Sequence, residues 1–225
     1  MSGSEQLALA DQAETAGAAF PHAEPIPAAM PAAPVSSSGS ESAPFKTLHE
    51  LSREASDCSL CGLADTRSNV VFGVGNPQAD LVFIGEAPGR DEDIRGEPFV
   101  GRAGQLLDRM LHAIDLDRKS VYIMNTIKCR PPNNRDPKPD EVQACNLWFE
   151  QQLNLLQPKM ICLLGRVAAQ TVLETDEPLG ALRGRWHDYR GIPVWVTYHP
   201  AYLLRSPQQK RKSWQDLVTL LNRLN

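Results

Sequence analysis

The chain has 225 residues, with 23 Lys and Arg against 27 Asp and Glu, five Cys and 42% hydrophobic residues, the profile of an ordinary protein with one main domain. No apolar run approaches the roughly 18 residues that a transmembrane helix needs, so neither a membrane span nor a membrane partner is expected. Residues 1–45 hold five acids and no Lys or Arg, leaving 22 acids against 23 bases for residues 46–225; the formal charge of −4 therefore says nothing against a nucleic-acid partner for the larger part.

Residues 1–45 are built from Ala, Pro, Ser, Gly and Glu, with six prolines from Pro21 to Pro44 and the run Ser36-Ser37-Ser38-Gly39-Ser40. This composition predicts a disordered acidic tail ahead of a domain over 46–225. A short partner-binding helix over 5–19 is the alternative, which would give the tail a protein partner. The segment has neither the basic start of a secretory signal nor an Arg-rich presequence face. With an odd number of cysteines, that points to a reducing, cytoplasmic setting.

Beyond the tail, residues 70–74 precede Gly75-Asn76-Pro77 and predict a hairpin strand. Residues 79–84 form an apolar run that reads as a buried strand ending at Gly85. A helix follows over about 103–114, with Leu106, Leu107, Met110, Leu111 and Ile114 on one side. Residues 121–126 read as the next strand. Pro139-Asp140-Glu141 suits the first turn of a helix running to about 156. Residues 160–164 predict a strand and 166–173 a helix. Residues 186–189 suggest a hairpin strand and 194–197 a buried one. A final helix is expected to begin at Ser206-Pro207 and to carry Trp214, Leu217, Val218 and Leu221. Strands alternating with helices imply an α/β domain, three layers with a central, mostly parallel sheet.

In such sheets ligands bind outside the carboxyl ends of the strands. There the first buried strand runs into Gly85-Glu86-Ala87-Pro88-Gly89, the second delivers Asn125 and the last delivers His199-Pro200. Each alone reads equally as a turn, a loop cap or a hydrogen-bonded structural histidine. Their convergence on one edge favours a site. The glycines fit no nucleotide motif: Gln78 stands where a dinucleotide fingerprint after Gly73-x-Gly75 needs its third Gly, and no phosphate loop or Gly-x-Ser-x-Gly elbow occurs.

Cys58-Ser-Leu-Cys61 is a C-x2-C pair ahead of the sheet; Cys129 follows the second strand and Cys145 lies on the next helix. Four thiolates suit a zinc ion or an iron–sulfur cluster, and spacing does not choose between them. The alternative is a set of reduced thiols. Cys162, inside an apolar strand, reads as a core residue. Basic residues surround the same loops: Lys128, Arg130, Arg135 and Lys138, then Arg183, Arg185 and Arg205, then Lys210-Arg211-Lys212. They read either as a solvated surface or as a grip on a phosphate backbone.

Gly85-Glu-Ala-Pro-Gly-Arg-Asp-Glu92 and Pro98-Phe-Val-Gly-Arg-Ala-Gly-Gln-Leu-Leu107 resemble motifs of the family 4 uracil-DNA glycosylases. So do Asn125-Thr-Ile-Lys-Cys-Arg-Pro-Pro132, Asn134-Arg135 and His199-Pro-Ala-Tyr-Leu-Leu-Arg205. With Cys58 and Cys61 the similarity covers about residues 55–205. The resemblance implies a monomeric base-excision-repair enzyme acting on uracil-containing DNA. It implies a [4Fe–4S] cluster on Cys58, Cys61, Cys129 and Cys145, and a uracil pocket made by Gly85, Glu86, Ala87, Phe99, Asn125 and His199. Phe99 would stack on the flipped base and Asn125 would read its N3–H and O4. His199 would donate to O2 as charge develops on the departing base. Arg130, Arg135, Leu204 and Arg205 would contact DNA, with the 203–204 leucines either a wedge or part of the core. Ala87 stands where the better-known first family of these enzymes carries an aspartate, which leaves Glu86 as the nearest carboxylate. The expectation is that leaving-group stabilisation carries most of the rate and that backbone groups hold the water. A non-catalytic iron–sulfur DNA-binding or damage-sensing module is the rival reading.

Overall fold

Apolar, β-branched runs and amphipathic helices alternate along the chain as the pattern predicts. The computed structural model describes residues 47–224, so the tail expected over 1–45 lies outside the described residues. In chain order the main elements are α1 (Leu48–Ser56), β1 (Val74–Gly75), β2 (Leu81–Gly85), α2 (Arg90–Arg95), α3 (Arg102–His112) and β3 (Tyr122–Asn125). Then come α4 (Pro139–Leu156), β4 (Met160–Leu164), α5 (Arg166–Leu173), α6 (Leu179–Leu182), β5 (Trp186–Tyr189), β6 (Ile192–Thr197), α7 (Pro200–Arg205) and α8 (Lys210–Leu224). Local signals account for several boundaries. Thr47 caps α1 by accepting from the Glu50 amide at 3.1 Å. Pro139 opens α4 while Glu141 accepts from the Lys138 amide at 2.7 Å.

The six strands form one sheet in the order β1-β3-β2-β4-β6-β5, with the inner four parallel and the two edges antiparallel. Along β2, Val82 and Ile84 face a cluster with Phe149 and Leu153 of α4 and Ala169 and Val172 of α5. Leu81 and Phe83 face the other side, against Leu107 and Leu111 of α3 and Leu217 and Leu220 of α8. The period-two alternation thus serves two apolar layers, and the three-layer α/β/α architecture follows. A third cluster joins Leu51 and Ala55 of α1 to Phe72, Ile127, Trp148, Cys129 and Cys145. Among the described residues no helix is long and apolar enough to cross a membrane.

Two sequence expectations are corrected. The hairpin strand over 70–74 shrinks to Val74–Gly75, because the Val71 amide donates to the Lys128 carbonyl at 2.8 Å instead of joining a ladder. The last helix begins at Lys210, not Ser206. Proline supplies the first position of a separate short helix, α7, directly after His199, and Ser206-Pro207 opens a 3-10 turn between α7 and α8.

Candidate active site

Chain order runs from β2 outward to β3, then back across β2 to β4, so the sheet changes winding direction at β2. That is where open α/β sheets leave a crevice at their carboxyl ends. Register aligns Gly85 with Asn125 and Leu164 with Thr197, which brings the loops after β2, β3 and β6 to one edge. They enclose a cavity of about 430 Å³ lined by Glu86, Ala87, Phe99, Asn125, His199 and Arg205, among others.

Asn125 is 1% exposed, and its side-chain oxygen is buried with no hydrogen-bond partner. A buried amide oxygen left unpaired costs roughly 1–3 kcal/mol, so it marks a place for a ligand's N–H. Gly85 makes room for it. A Cβ there would collide with Asn125 Oδ1 and stand 2.6 Å from Phe99 Cζ. Gly85 therefore lies behind the cavity as a spacer between amide and ring.

Phe99 is buried in the left-handed backbone region at φ 55°, unusual for a bulky residue. Its carbonyl accepts from Arg118, which also donates to the Pro98 carbonyl at 3.0 Å and pairs with Asp108 at 2.7 Å. A Cβ on Gly104 would overlap the Phe99 carbonyl, so α3 meets this turn only because residue 104 has no side chain. Glu92 ties the same turn to the first loop: one carboxylate oxygen accepts from Val100 and Gly101 at 2.9 Å, the other from Gly89 at 3.1 Å. Glu92 and Gly104 fall inside motifs visible in the sequence, but their stapling roles follow from proximity. Arg118 carries no sequence signal.

The Phe99 and His199 rings stand 5.5 Å apart, tilted by 32°. His199 Nδ1 accepts from the Ala201 amide at 3.1 Å, so in the neutral ring the proton sits on Nε2 and is available to a ligand. Burial, with Arg205 adding to it, pulls His199 down to about 4, so it is a neutral donor at physiological pH. Burial pushes Glu86 up to about 7; Asp136 raises it further and Arg166 opposes. Asp136 lines the same cavity and is held by Arg166 at 2.8 Å; neither residue carries a sequence signal.

The cations divide. Arg205 is exposed on the cavity rim, Leu204 beside it is partly buried, and Leu203 is fully buried, so Leu203 belongs to the core and not to a wedge. Arg135 lines the cavity, with its guanidinium gripped by both oxygens of the buried Glu141 at 2.8 and 2.6 Å. Arg130 does not line the cavity, but it donates at 2.7 Å to Asn134, which does. Lys128 cannot grip a phosphate, because it is 1% exposed. Arg183 is bound to the buried Asp216 at 2.6 Å and Arg185 to Glu177 at 2.7 Å.

Cys58, Cys61, Cys129 and Cys145 line a second, largely apolar cavity, while Cys162 is buried in β4. Three donors point at the sulfurs: Trp148 Nε1 to Cys58 at 3.1 Å, Arg67 to Cys129 at 3.4 Å and the Lys128 amide to Cys145 at 3.2 Å. Burial pushes Cys129 up and Cys145 to about 12, so thiolates there need a positive centre, which a metal group supplies. Among the described residues no group of three or more His, Cys, Asp or Glu is disposed to hold a single metal ion. Four sulfurs around one cavity, three of them met by donors, are nonetheless the donor set of a metal group.

Residues 72–218 match the family described as the uracil DNA glycosylase superfamily. A type-4 uracil-DNA glycosylase of Archaeoglobus fulgidus is 44% identical over 76% of this chain and 90% of its own length. One from Sulfurisphaera tokodaii is 40% identical over 76% and 81%. One from Thermotoga maritima is 42% identical over 69% and 82%.

Proposed function

The chain belongs to the uracil DNA glycosylase superfamily, with the type-4 enzymes, and as a DNA-repair glycosylase we propose that it works as follows. Uracil is swung out of DNA into the 430 Å³ cavity at a cost of a few kcal/mol, and the bond between deoxyribose and base is hydrolysed. Free uracil and an abasic site result; no strand is cut. The observation that carries this reading is the buried, unpartnered oxygen of Asn125 facing Phe99 and Gly85. It accepts from uracil N3–H while the amide NH2 donates to O4. Cytosine presents the opposite pattern and leaves buried groups mispaired, enough for discrimination of roughly 10⁴–10⁵. Phe99 stacks on the base, and neutral His199 donates from Nε2 to O2 as the bond's electron pair passes to the ring. In place of the backbone groups expected from the sequence, ionised Glu86, which lines the cavity and is lifted to about 7 by burial, orients the attacking water toward the sugar. Arg205 meets a phosphate at the rim, and Leu204 is the one leucine of its pair free to fill the gap left in the duplex.

Cys58, Cys61, Cys129 and Cys145 would hold a [4Fe–4S] cluster, supported by the donors aimed at their sulfurs. Bound there, the group supplies a cross-link between the 58–61 segment and the loop after Asn125, not chemistry at the base. The same proposal keeps residues 1–45 as a separate acidic tail open to a protein partner, on a monomer in a reducing compartment.

The test is release of free uracil from a uracil-containing oligonucleotide by iron-loaded protein, with Asn125→Ala and His199→Ala alongside. The wild type should release it and the histidine variant should be about 10²–10³-fold slower. An intact substrate would leave the non-catalytic iron–sulfur module as the better reading; equal excision of cytosine would remove the role given to Asn125.

A further inference from the structure

Lys128 borders the cysteine cavity and is 1% exposed. Its Nζ donates to the Asn125 carbonyl at 2.8 Å and to Gln152 Oε1 at 2.6 Å. Gln152, itself fully buried, donates in turn to the Phe72 carbonyl at 3.1 Å and to the Tyr122 hydroxyl at 3.0 Å, so the acceptor is anchored to β3. The rings of Phe72 and Phe149 stand 5.8 and 6.0 Å from Nζ. The backbone amide of the same residue donates to Cys145 Sγ at 3.2 Å.

An apolar side chain of this length would fill the space without the cost of burying an amine, so what the amine holds is the informative part. It holds one edge of the 125–126 peptide. The other edge is held as well, because the Thr126 amide donates to the Gly85 carbonyl at 3.0 Å. Rotation of that peptide would turn the Asn125 side chain, whose oxygen has no partner of its own to steady it. We propose that Lys128 is a positioning residue for uracil recognition: it fixes the Asn125 amide in the base cavity and makes that placement depend on the cysteine site through Cys145. This rests on the uracil-glycosylase reading and on the four cysteines as cluster ligands. It gives the cysteine site a second consequence besides stability, because a displaced Cys145 drags residue 128 and loosens the amide that reads the base.

The experiment uses the full-length, iron-loaded protein and the variants Lys128→Met and Gln152→Glu. The second is isosteric: it sets a carboxylate beside Nζ to compete with the Asn125 carbonyl, and it gives up the donation from residue 152 to the Phe72 carbonyl. Three quantities are read: iron per chain with visible absorbance, single-turnover excision of uracil and of cytosine, and the Asn125 side-chain amide signal after selective ¹⁵N-asparagine labelling. Both variants should keep iron and absorbance at wild-type levels. The uracil-over-cytosine preference should narrow by about 10- to 100-fold, the worth of a charge-assisted hydrogen bond, and the amide signal should broaden or split. A role in packing alone would lower thermal stability and leave preference and signal unchanged; that result in an iron-loaded variant overturns the inference. Should Lys128→Met fail to fold, Gln152→Glu decides by the same readouts. Wild-type protein that releases no uracil would instead bring down the underlying reading, which separates the two failures.

Discussion

Glu86 has the acidity of a group poised at neutrality, and replacing it by glutamine removes the charge while keeping the shape. With the carboxyl raised from 4.5 to about 7, roughly a tenth of it is ionised at pH 6, half at pH 7 and nine-tenths at pH 8. If the ionised form orients the water, single-turnover uracil release should climb about tenfold from pH 6 to 8. His199, held near 4, adds no second limb in that range. Glu86→Gln should be flat across the window and about 10²–10³-fold slower than wild type at pH 8. Stability should move the other way. Between pH 4.5 and 7 the folded chain keeps a proton that the unfolded chain has released, so stability falls as pH rises through that interval. A shift of this size corresponds to about 3 kcal/mol at most. Screening of a partly exposed group reduces it to about 1–2 kcal/mol, which Glu86→Gln should recover at pH 8 and not at pH 4. Denaturant melts at the two pH values measure this directly. A wild-type rate independent of pH between 6 and 8, or a glutamine variant within a few-fold, would refute the role of Glu86. The rate would then rest on leaving-group stabilisation with water held by the backbone.

Gly85→Ala should abolish uracil release while the protein stays folded, because the new methyl collides with Asn125 Oδ1 and the Phe99 ring; binding of free uracil by calorimetry checks it. Arg118→Met should release the Phe99 turn from its guanidinium clamp, destabilising the fold by about 1–3 kcal/mol in denaturant melts and raising KM for uracil-containing DNA more than it lowers kcat. Cys145→Ser should lose iron and visible absorbance and lower Tm by at least several degrees, since the cross-link to the loop after Asn125 goes with it.

The sequence alone determined the α/β class, the succession of buried strands along the chain and the two groups of chemistry-bearing residues. Apolar runs of strand length and a 3.6-residue period are local properties, and the 160–164 strand and the helices over 139–156 and 166–173 appear where those patterns put them. The positions of Asn125 and His199 at the carboxyl edge of the sheet were legible because Asn125 closes one buried run and His199 stands two residues past another. Helix α7 was not. Its proline start lies against the strand end, and its six residues are too few for a period to show.

Only the tertiary structure decided which cations are free and which polar groups hold the site together. Lys128 and Arg205 look alike in a sequence, yet one is sealed under Phe72 and Phe149 and the other stands on the cavity rim. Arg118 clamps Phe99 from 19 residues away, and Gln152 backs Lys128 from 24. Charge state, burial and partner choice depend on what lies within a few ångströms, and that is set by how strands are ordered in the sheet, not by spacing along the chain.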